Sequence, residues 1–225
     1  MSYKLYSFDK IPSTQTHAHE LVAKGAAEDR TVILAEAQSA GRGRYRRQWV
    51  SHHGNLYVSF IYRSARRDPR LSYCVAVAVA EALMSFGIKP RIKWPNDILV
   101  SAAKISGILI EYSKNFVIVG IGVNIKSNPT VAEYETTKLD NHKSGVSRDE
   151  LLSALMEKMD LWLDRLARGG FASVRERWME LAAGLNSEIM YKGRSATLCE
   201  INLDGALVLR RGSEYILALG DEISI

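Results

Sequence analysis

Four arginines crowd into nine residues at Gly41-Arg42-Gly43-Arg44-Tyr45-Arg46-Arg47-Gln48-Trp49. Guanidinium groups this close repel one another unless something negative neutralises them, and the two glycines let main-chain N–H groups approach a ligand. The stretch reads as a loop for phosphate or carboxylate, although alone it would serve equally as solvated surface or a non-specific nucleic-acid patch. A second constellation tips the balance towards a ligand. Lys104 opens the β-prone run Lys104-Ile105-Ser106-Gly107-Ile108-Leu109-Ile110-Glu111, and a two-residue period puts Lys104, Ser106, Ile108 and Ile110 on one face. A lysine heading an apolar row is costly unless an anion pairs with it, and Gly107 leaves room for a group to come close.

Two further stretches belong with these. Pro95-Asn96-Asp97 interrupts the β-prone run 91–100, so Pro95 should sit at a bulge or edge where no ladder hydrogen bond is lost. Gly120-Ile121-Gly122-Val123-Asn124 lacks the third glycine of a dinucleotide fingerprint and leads into a Ser/Asn/Pro loop, not a helix. Glycines inside a strand point instead to a ligand or another backbone lying against it, with Asn124 able to donate and accept hydrogen bonds at its end. Ser13 or Thr14 caps a helix, and a helix N-terminus facing a pocket could also present hydroxyls and amides to a polar head group.

The elements that must position these residues follow from pattern. A strand is expected over 3–8, a helix from Ser13 or Thr14 to a stop at Gly25, strands over 31–37 and 55–62, and a buried helix over 71–86 ended by Gly87. Leu56, Val58, Phe60 and Tyr62 should alternate with Tyr57, Ser59 and Ile61 on opposite faces. A hairpin over 91–100 and 104–111 and a strand over 116–125 come next. Ser147-Arg148-Asp149-Glu150 has the capping-box pattern and opens a helix stopped by Gly169-Gly170, and a second helix, 171–183, ends at Gly184. From residue 186 the texture changes to five short strands, 188–191, 196–201, 206–210, 215–219 and 222–225, which predict a mini-barrel that leans on the preceding unit. The expected division is 1–185 and 186–225.

Composition sets the frame. A chain of 225 residues can bury a sizeable core, and a formal charge of +5 is too mild for a general polyanion binder. Cys74 and Cys199 are the only cysteines, with no metal-ligand spacing, which suits a reduced, cytosolic protein. The N-terminus lacks an apolar signal region and no apolar run approaches the roughly 20 residues of a membrane helix, so a soluble protein is expected.

Taken together the motifs resemble the biotin protein ligase family. Gly41-Arg42-Gly43-Arg44 with Trp49 is similar to its Gly-Arg-Gly-Arg loop, Lys93-Trp94-Pro95-Asn96-Asp97 to its Lys-Trp-Pro-Asn-Asp segment, and Lys104-Ile105-Ser106-Gly107-Ile108-Leu109 to its Lys-x-x-Gly-Ile-Leu strand. Gly120-Ile121-Gly122-Val123-Asn124 is similar to its Gly-x-Gly-x-Asn motif, and all four stand in family order. The resemblance implies an α+β fold: a mixed β-sheet catalytic domain flanked by helices, class II synthetase-like, with a small C-terminal SH3-like barrel. It implies a ligase that uses MgATP to make biotinyl-5′-adenylate and pyrophosphate, then passes biotin to a lysine of a biotin carboxyl carrier protein and releases AMP. On it, Ser13, Thr14, Gln15, Gln38, Arg42, Gly43, Arg44, Lys104 and Gly107 fall on the biotin or adenylate side, with Lys104, Arg42 and Arg44 stabilising charge at the carboxyl–phosphate junction. Trp49 would stack on adenine, Arg44, Arg47, Asn96 and Asn124 would serve the nucleotide, and Asp97 would touch metal or the carrier lysine. No protein ligand to magnesium is assigned; the ion arrives with ATP. A homodimer is the family's default.

The sequence departs from that pattern in three places. Gln15 stands where many members have asparagine, Arg46 stands where glycine is frequent, and Met1 lies close to the first strand, so a winged helix-turn-helix and repressor activity are not expected. The competing readings are lipoate or octanoyl transfer on the related fold, and a nucleic-acid module, for which the last 40 residues offer only Tyr191 and Tyr215 as stacking aromatics.

Overall fold

Strand-forming residues dominate the first half of the chain, and they build one sheet with helices on both faces. The computed structural model describes residues 2–218 and 223–224. Seven strands form a mixed sheet: β1 (Lys4–Ile11), β2 (Thr31–Gln38), β3 (Leu56–Arg63), β4 (Arg91–Lys93), β5 (Asp97–Val100), β6 (Ala103–Ser113) and β7 (Phe116–Val123). Their order is β1-β2-β3-β7-β6-β5-β4, with only β1 and β2 parallel.

Helix α1 (Thr14–Ala23) covers one face through Ala18 and Val22 against Ile33, Ile61 and Ile118. The opposite face carries Val32, Val58, Phe60 and Val119 and packs against α2 (Leu71–Met84), α3 (Arg148–Gly169) and α4 (Ala172–Leu181). β3 is therefore buried on both sides from Leu56 to Tyr62, and its alternation is between two packed layers. Ser13 is the N-cap of α1, with Oγ accepting from Thr16 N. The capping box at Ser147 is formed in full: Glu150 N donates to Ser147 Oγ at 3.2 Å and Ser147 N to Glu150 Oε2 at 2.8 Å.

The expected strand over 91–100 is two strands. Trp94-Pro95-Asn96 turns the chain between β4 and β5, so proline costs no ladder bond. A second correction concerns Lys104. The β5–β6 register slips by one residue, Ile98 pairing with Ser106 and Leu99 with Lys104. That bulge breaks the two-residue period and takes Lys104 off the row of Ser106, Ile108 and Ile110. Its Cε lies 3.4 Å from where a Cβ on Gly107 would stand, on the Gly107 face.

After α4 come β8 (Glu188–Tyr191), β9 (Arg194–Ile201), β10 (Leu207–Arg211), β11 (Glu214–Ala218) and β12 (Ile223–Ser224), a five-stranded antiparallel sheet in the order β11-β10-β9-β8-β12. This sheet fits an SH3-like unit, but β11 and β12 stand at opposite edges, so among the described residues it is open and not the closed barrel expected. The parts of the last two expected strands at Leu219, Glu222 and Ile225, and the turn at Gly220-Asp221, lie outside the described residues. The second sheet leans on the first unit as expected: Tyr73 of α2 donates to Gly205 O at 2.8 Å and accepts from Trp94 Nε1 at 3.1 Å. Among the described residues no helix is long and apolar enough to cross a membrane.

Candidate functional site

Where the glycine-bearing parts of β6 and β7 meet the Arg loop, the structure encloses a cavity of about 380 Å³. Ser13, Thr14, Gln15, Gln38, Arg42, Gly43, Arg44, Arg47, Trp49, Asn96, Asp97, Lys104 and Gly107 all line it. Asn124 alone of the sequence-derived candidates is not brought to it. That side chain is buried and donates from Nδ2 to Thr137 O at 3.0 Å, anchoring the segment that flanks the start of β6, where Lys104 N donates to Glu135 O and Thr137 N to Lys104 O.

Glycine makes the floor. Gly107 and Gly122 pair across β6 and β7, and the Trp49 indole lies against both. A Cβ on Gly122 would fall 2.5 Å from Trp49 Cε2, and one on Gly107 would fall 2.8 Å from Cζ3. Gly120 does the same service for Gln15, whose Oε1 would be 2.5 Å from an added Cβ. The glycines thus answer the close approach of two side chains.

One wall is the start of α1. Thr14 donates from its backbone N to Gln38 Oε1 at 2.8 Å, and the single hydroxyl hydrogen of Ser59 is shared between Thr14 Oγ1 at 2.9 Å and Gln15 Oε1 at 3.0 Å. Gln15, 3% exposed, spends its Nε2 on Glu111 Oε2 at 3.0 Å. The longer amide at this departure from the family pattern reaches into the protein. Its contact with a bound ligand therefore comes down to whatever face remains open to the cavity.

The roof is the Arg loop, closed by Trp49 N donating to Gly41 O at 2.9 Å and Gly43 N to Arg47 O at 2.8 Å. A 3-10 turn at Arg44–Arg46 puts Tyr45 at φ 54° and Arg46 at φ 59°. Left-handed backbone costs an L-residue roughly 1–2 kcal/mol, which is a physical reason for glycine to be favoured at residue 46. Arg44 donates to Asn96 Oδ1 at 3.1 Å, and burial lowers the pKa of its guanidinium.

Lys104 projects into the cavity with its side chain 14% exposed. Its ammonium is 2.7 Å from Asp97 Oδ1, 5.4 Å from the Trp49 ring centre and 5.1 Å from that of Tyr134. Oδ1 is nevertheless a buried atom without a hydrogen bond, so the contact is a charge pair off the angle of a shared proton and leaves Oδ1 able to accept one.

Two residues escaped the sequence reading. Tyr134 sits in a stretch that reads only as polar and irregular, yet it borders the cavity beside Lys104. Glu111 is the acidic residue of β6, next to its apolar stretch Ile108-Leu109-Ile110, and Arg42, Gln15 and His19 all meet it. Burial works against its ionisation, but the bonds from Gln15 and His19 and the charge of Arg42 outweigh burial and hold its carboxyl below the usual range. An acid interrupting the apolar run Ile108-Leu109-Ile110 was the available signal.

Chemically, the cavity offers several cations on its walls, Arg42, Arg44, Arg47 and Lys104 among them, a partly open carboxylate and a large aromatic face over glycine, a set suited to an acid carrying apolar bulk beside a nucleotide. No cluster of three or more histidine, cysteine or acidic side chains able to hold a metal occurs among the described residues.

Comparison with known proteins places the chain. The sequence profile described as the biotin/lipoate A/B protein ligase family matches residues 7–128. The bifunctional ligase/repressor BirA of Bacillus subtilis is 32% identical over 212 residues, which take in 88% of this chain and 65% of that protein. The chain thus spans just under two thirds of that relative's length. The biotin--[acetyl-CoA-carboxylase] ligase of Paracoccus denitrificans is 34% identical over 199 residues, 79% of this chain and 83% of that one. Among solved structures, the biotin protein ligase of Aquifex aeolicus in complex with biotin and ATP superposes with a TM-score of 0.89 at 26% identity, covering 98% of this chain and 97% of the other.

Proposed function

This chain belongs to the biotin/lipoate A/B protein ligase family, and we propose that it is a biotin protein ligase that adenylates biotin with ATP and transfers it to a protein lysine. The observation that carries the reading is Lys104 on the cavity face of β6, with its ammonium beside Asp97 and under the Trp49 roof. The Aquifex protein, whose complex holds biotin and ATP, shares this fold over nearly its whole length, which supports the choice of substrates.

In the first half-reaction a biotin carboxylate oxygen attacks the α-phosphorus of ATP, an O–P bond forms, and pyrophosphate leaves with the electron pair of the broken bond. The two reactants are both anions. Lys104, Arg42 and Arg44 would offset the repulsion and the charge gathering on phosphate, while Ser13, Thr14, Gln15, Gln38, Gly43 and Gly107 fix the acid in place. Trp49 would cover the adenine, with Arg47 and Asn96 on the phosphate and base sides. Asn124 would act through the segment it anchors. In the second half-reaction the neutral amine of a carrier lysine attacks the acyl carbon, loses a proton and displaces AMP. Asp97 Oδ1, buried with acceptor capacity to spare, is the atom in this cavity suited to that proton or to the amine that carries it.

Magnesium fits this donor set in one way. Among the described residues Asp97 is the carboxylate lining the cavity, so the ion would be held chiefly by the phosphates with Asp97 as its protein contact, and would supply neutralisation of phosphate charge. The acceptor in this reading is a biotin carboxyl carrier protein, the enzyme is a cytoplasmic homodimer, and the chain divides into a catalytic unit, 1–185, and an SH3-like unit, 186–225. The change from helix to small antiparallel sheet after α4 supports that division.

The test is ATP–pyrophosphate exchange with magnesium, trying biotin and lipoate separately, followed by streptavidin detection of a carrier domain incubated with biotin and ATP. Exchange with biotin alone and a labelled carrier are expected. Folded protein that exchanges with neither acid would sink the proposal, and exchange with lipoate alone would move it to the sister activity.

A further inference from the structure

We propose that Glu111 is a positioning residue whose carboxylate holds Arg42 at the cavity wall and ties the Arg loop to the first turns of α1. Three donors from two other parts of the chain converge on this one group. Arg42 Nη2 donates to Oε1 at 2.5 Å, Gln15 Nε2 to Oε2 at 3.0 Å, and His19 Nε2 lies 2.9 Å from Oε2.

An arginine–glutamate pair at the surface counts for little, and Arg42 is 41% exposed. What distinguishes this pair is the acceptor. Glu111 is 26% exposed in a strand whose neighbours are apolar, and Gln15 and His19 fix the carboxylate by one oxygen. The other oxygen is thereby aimed at the loop. Gln15 is fixed in turn, since it is buried, accepts from Ser59 and fills the space that Gly120 leaves. The chain of contacts from the sheet through Gln15 and Glu111 to Arg42 has no flexible member until its last link. Arg42 then presents its remaining N–H groups to the cavity in an orientation set by the sheet, as a guanidinium used for planar recognition must be.

That the anion awaiting Arg42 is biotin carboxylate or phosphate rests on the proposed function. The holding of the loop does not. The experiment therefore has two readouts. Glu111→Gln, Glu111→Asp and Arg42→Ala are made singly, and each Glu111 variant is also combined with Arg42→Ala. Trypsin cleavage after Arg44, Arg46 and Arg47 is timed in ligand-free protein, and the biotin KM and kcat of pyrophosphate exchange are measured. Glu111→Gln should speed cleavage and raise the biotin KM about ten-fold, the scale of a contact within one network. Glu111→Asp should recover part of both. In the Arg42→Ala background, Glu111→Gln should change either readout less than about two-fold, because the group it positions is gone.

Unaltered cleavage in Glu111→Gln, or equal effects of that change with and without Arg42, overturns the inference. A general structural role predicts the second result and a lowered Tm in both backgrounds. Should Glu111→Gln fail to fold, Glu111→Asp carries the same comparison. Wild-type protein that shows no exchange overturns the ligase reading alone, and the cleavage series still decides the role of Glu111.

Discussion

Replacing Gly122 by alanine should loosen the nucleotide side of the cavity and spare the biotin side, while Gly120→Ala should do the reverse. A Cβ on residue 122 would lie 2.5 Å from Trp49 Cε2 and Nε1 and 2.8 Å from Cζ2. Carbon atoms rest at about 3.5–4.0 Å, so the indole must retreat by roughly 1 Å. All three atoms belong to one rigid ring system, so no terminal rotation relieves the clash. The sheet cannot yield either, because Gly122 is paired with Tyr57 on one side and Gly107 on the other. The loop gives way instead, and Trp49 leaves the face it covers. Overpacking of this kind costs ~1–3 kcal/mol. If that falls on roof closure, nucleotide affinity drops between about five- and 150-fold at ~1.4 kcal/mol per decade.

In Gly120→Ala the added carbon meets Gln15 Oε1 at 2.5 Å and disturbs the wall at α1. Calorimetric titration with a non-hydrolysable ATP analogue and with biotin, on both variants, separates the two sides, and tryptophan fluorescence reports the displaced indole. Gly122→Ala should weaken the ATP analogue and leave biotin within about two-fold, with Tm nearly unchanged because a loop and not the core absorbs the clash. Equal losses for both ligands in both variants, or full nucleotide affinity with Trp49 visibly displaced, would refute the assignment of Trp49 to the nucleotide.

Lys104→Ala should cost biotin-dependent exchange about 100- to 1000-fold in kcat, the loss typical of one charge-stabilising donor, with Tm kept. Tyr73→Phe should leave Trp94 Nε1 and Gly205 O without their partner, lowering stability by about 1–3 kcal/mol and Tm by roughly 2–10 °C, read by calorimetry. Glu111 has its carboxyl pKa depressed by folding, so its contribution to stability is present above the unfolded value and fades as pH falls through the lower folded value. The urea midpoint of wild type minus that of Glu111→Gln should therefore shrink on acidification below about pH 4.5 and stay flat above it. Burial pushes the Cys74 thiol up to about 12, so a thiol reagent should label Cys199 in the native protein and Cys74 only after unfolding.

Much of the site was legible because its residues are costly anywhere else. A crowded Arg loop, a lysine in an apolar strand and glycines inside a buried strand each violate a local preference, and such violations mark function. Helix boundaries were legible through capping at Ser13 and Ser147 and through Gly87. What stayed hidden depends on pairing between strands. The bulge near Ile105 transfers Lys104 to the other face, and no period read along one strand reveals a slip against its neighbour. The double burial of β3 depends on helices distant in sequence. Asn124 has the right chemistry for a ligand, but the segment ending at Thr137 uses it first. The open order of the second sheet likewise follows from which edges meet, and strand propensity is silent on that.

The Arg loop also bears on how such a site exists before a ligand arrives. Crowded arginines imply a negative partner, and part of that partner is the protein itself. Glu111 takes Arg42 and Asp97 takes Lys104, so two of the cavity's cations each meet a carboxylate and the roof can fold over its floor without a bound anion. Arg46 and Arg47 are exposed and pair with no carboxylate among the described residues. Arg42 and Lys104 are thus matched within the protein, and the two exposed guanidinium groups stand at the rim. A single carboxylate entering the cavity must compete with groups already paired, which favours orientation over raw attraction. A polyphosphate spanning interior and rim meets these two exposed guanidinium groups as well. The arrangement predicts that raising ionic strength weakens nucleotide binding several-fold more than biotin binding, since the rim charges are the exposed ones and salt screens those first. Titrations of both ligands across a salt series decide it, and parallel slopes would mean that the inner pairs, not the rim, meet the phosphates.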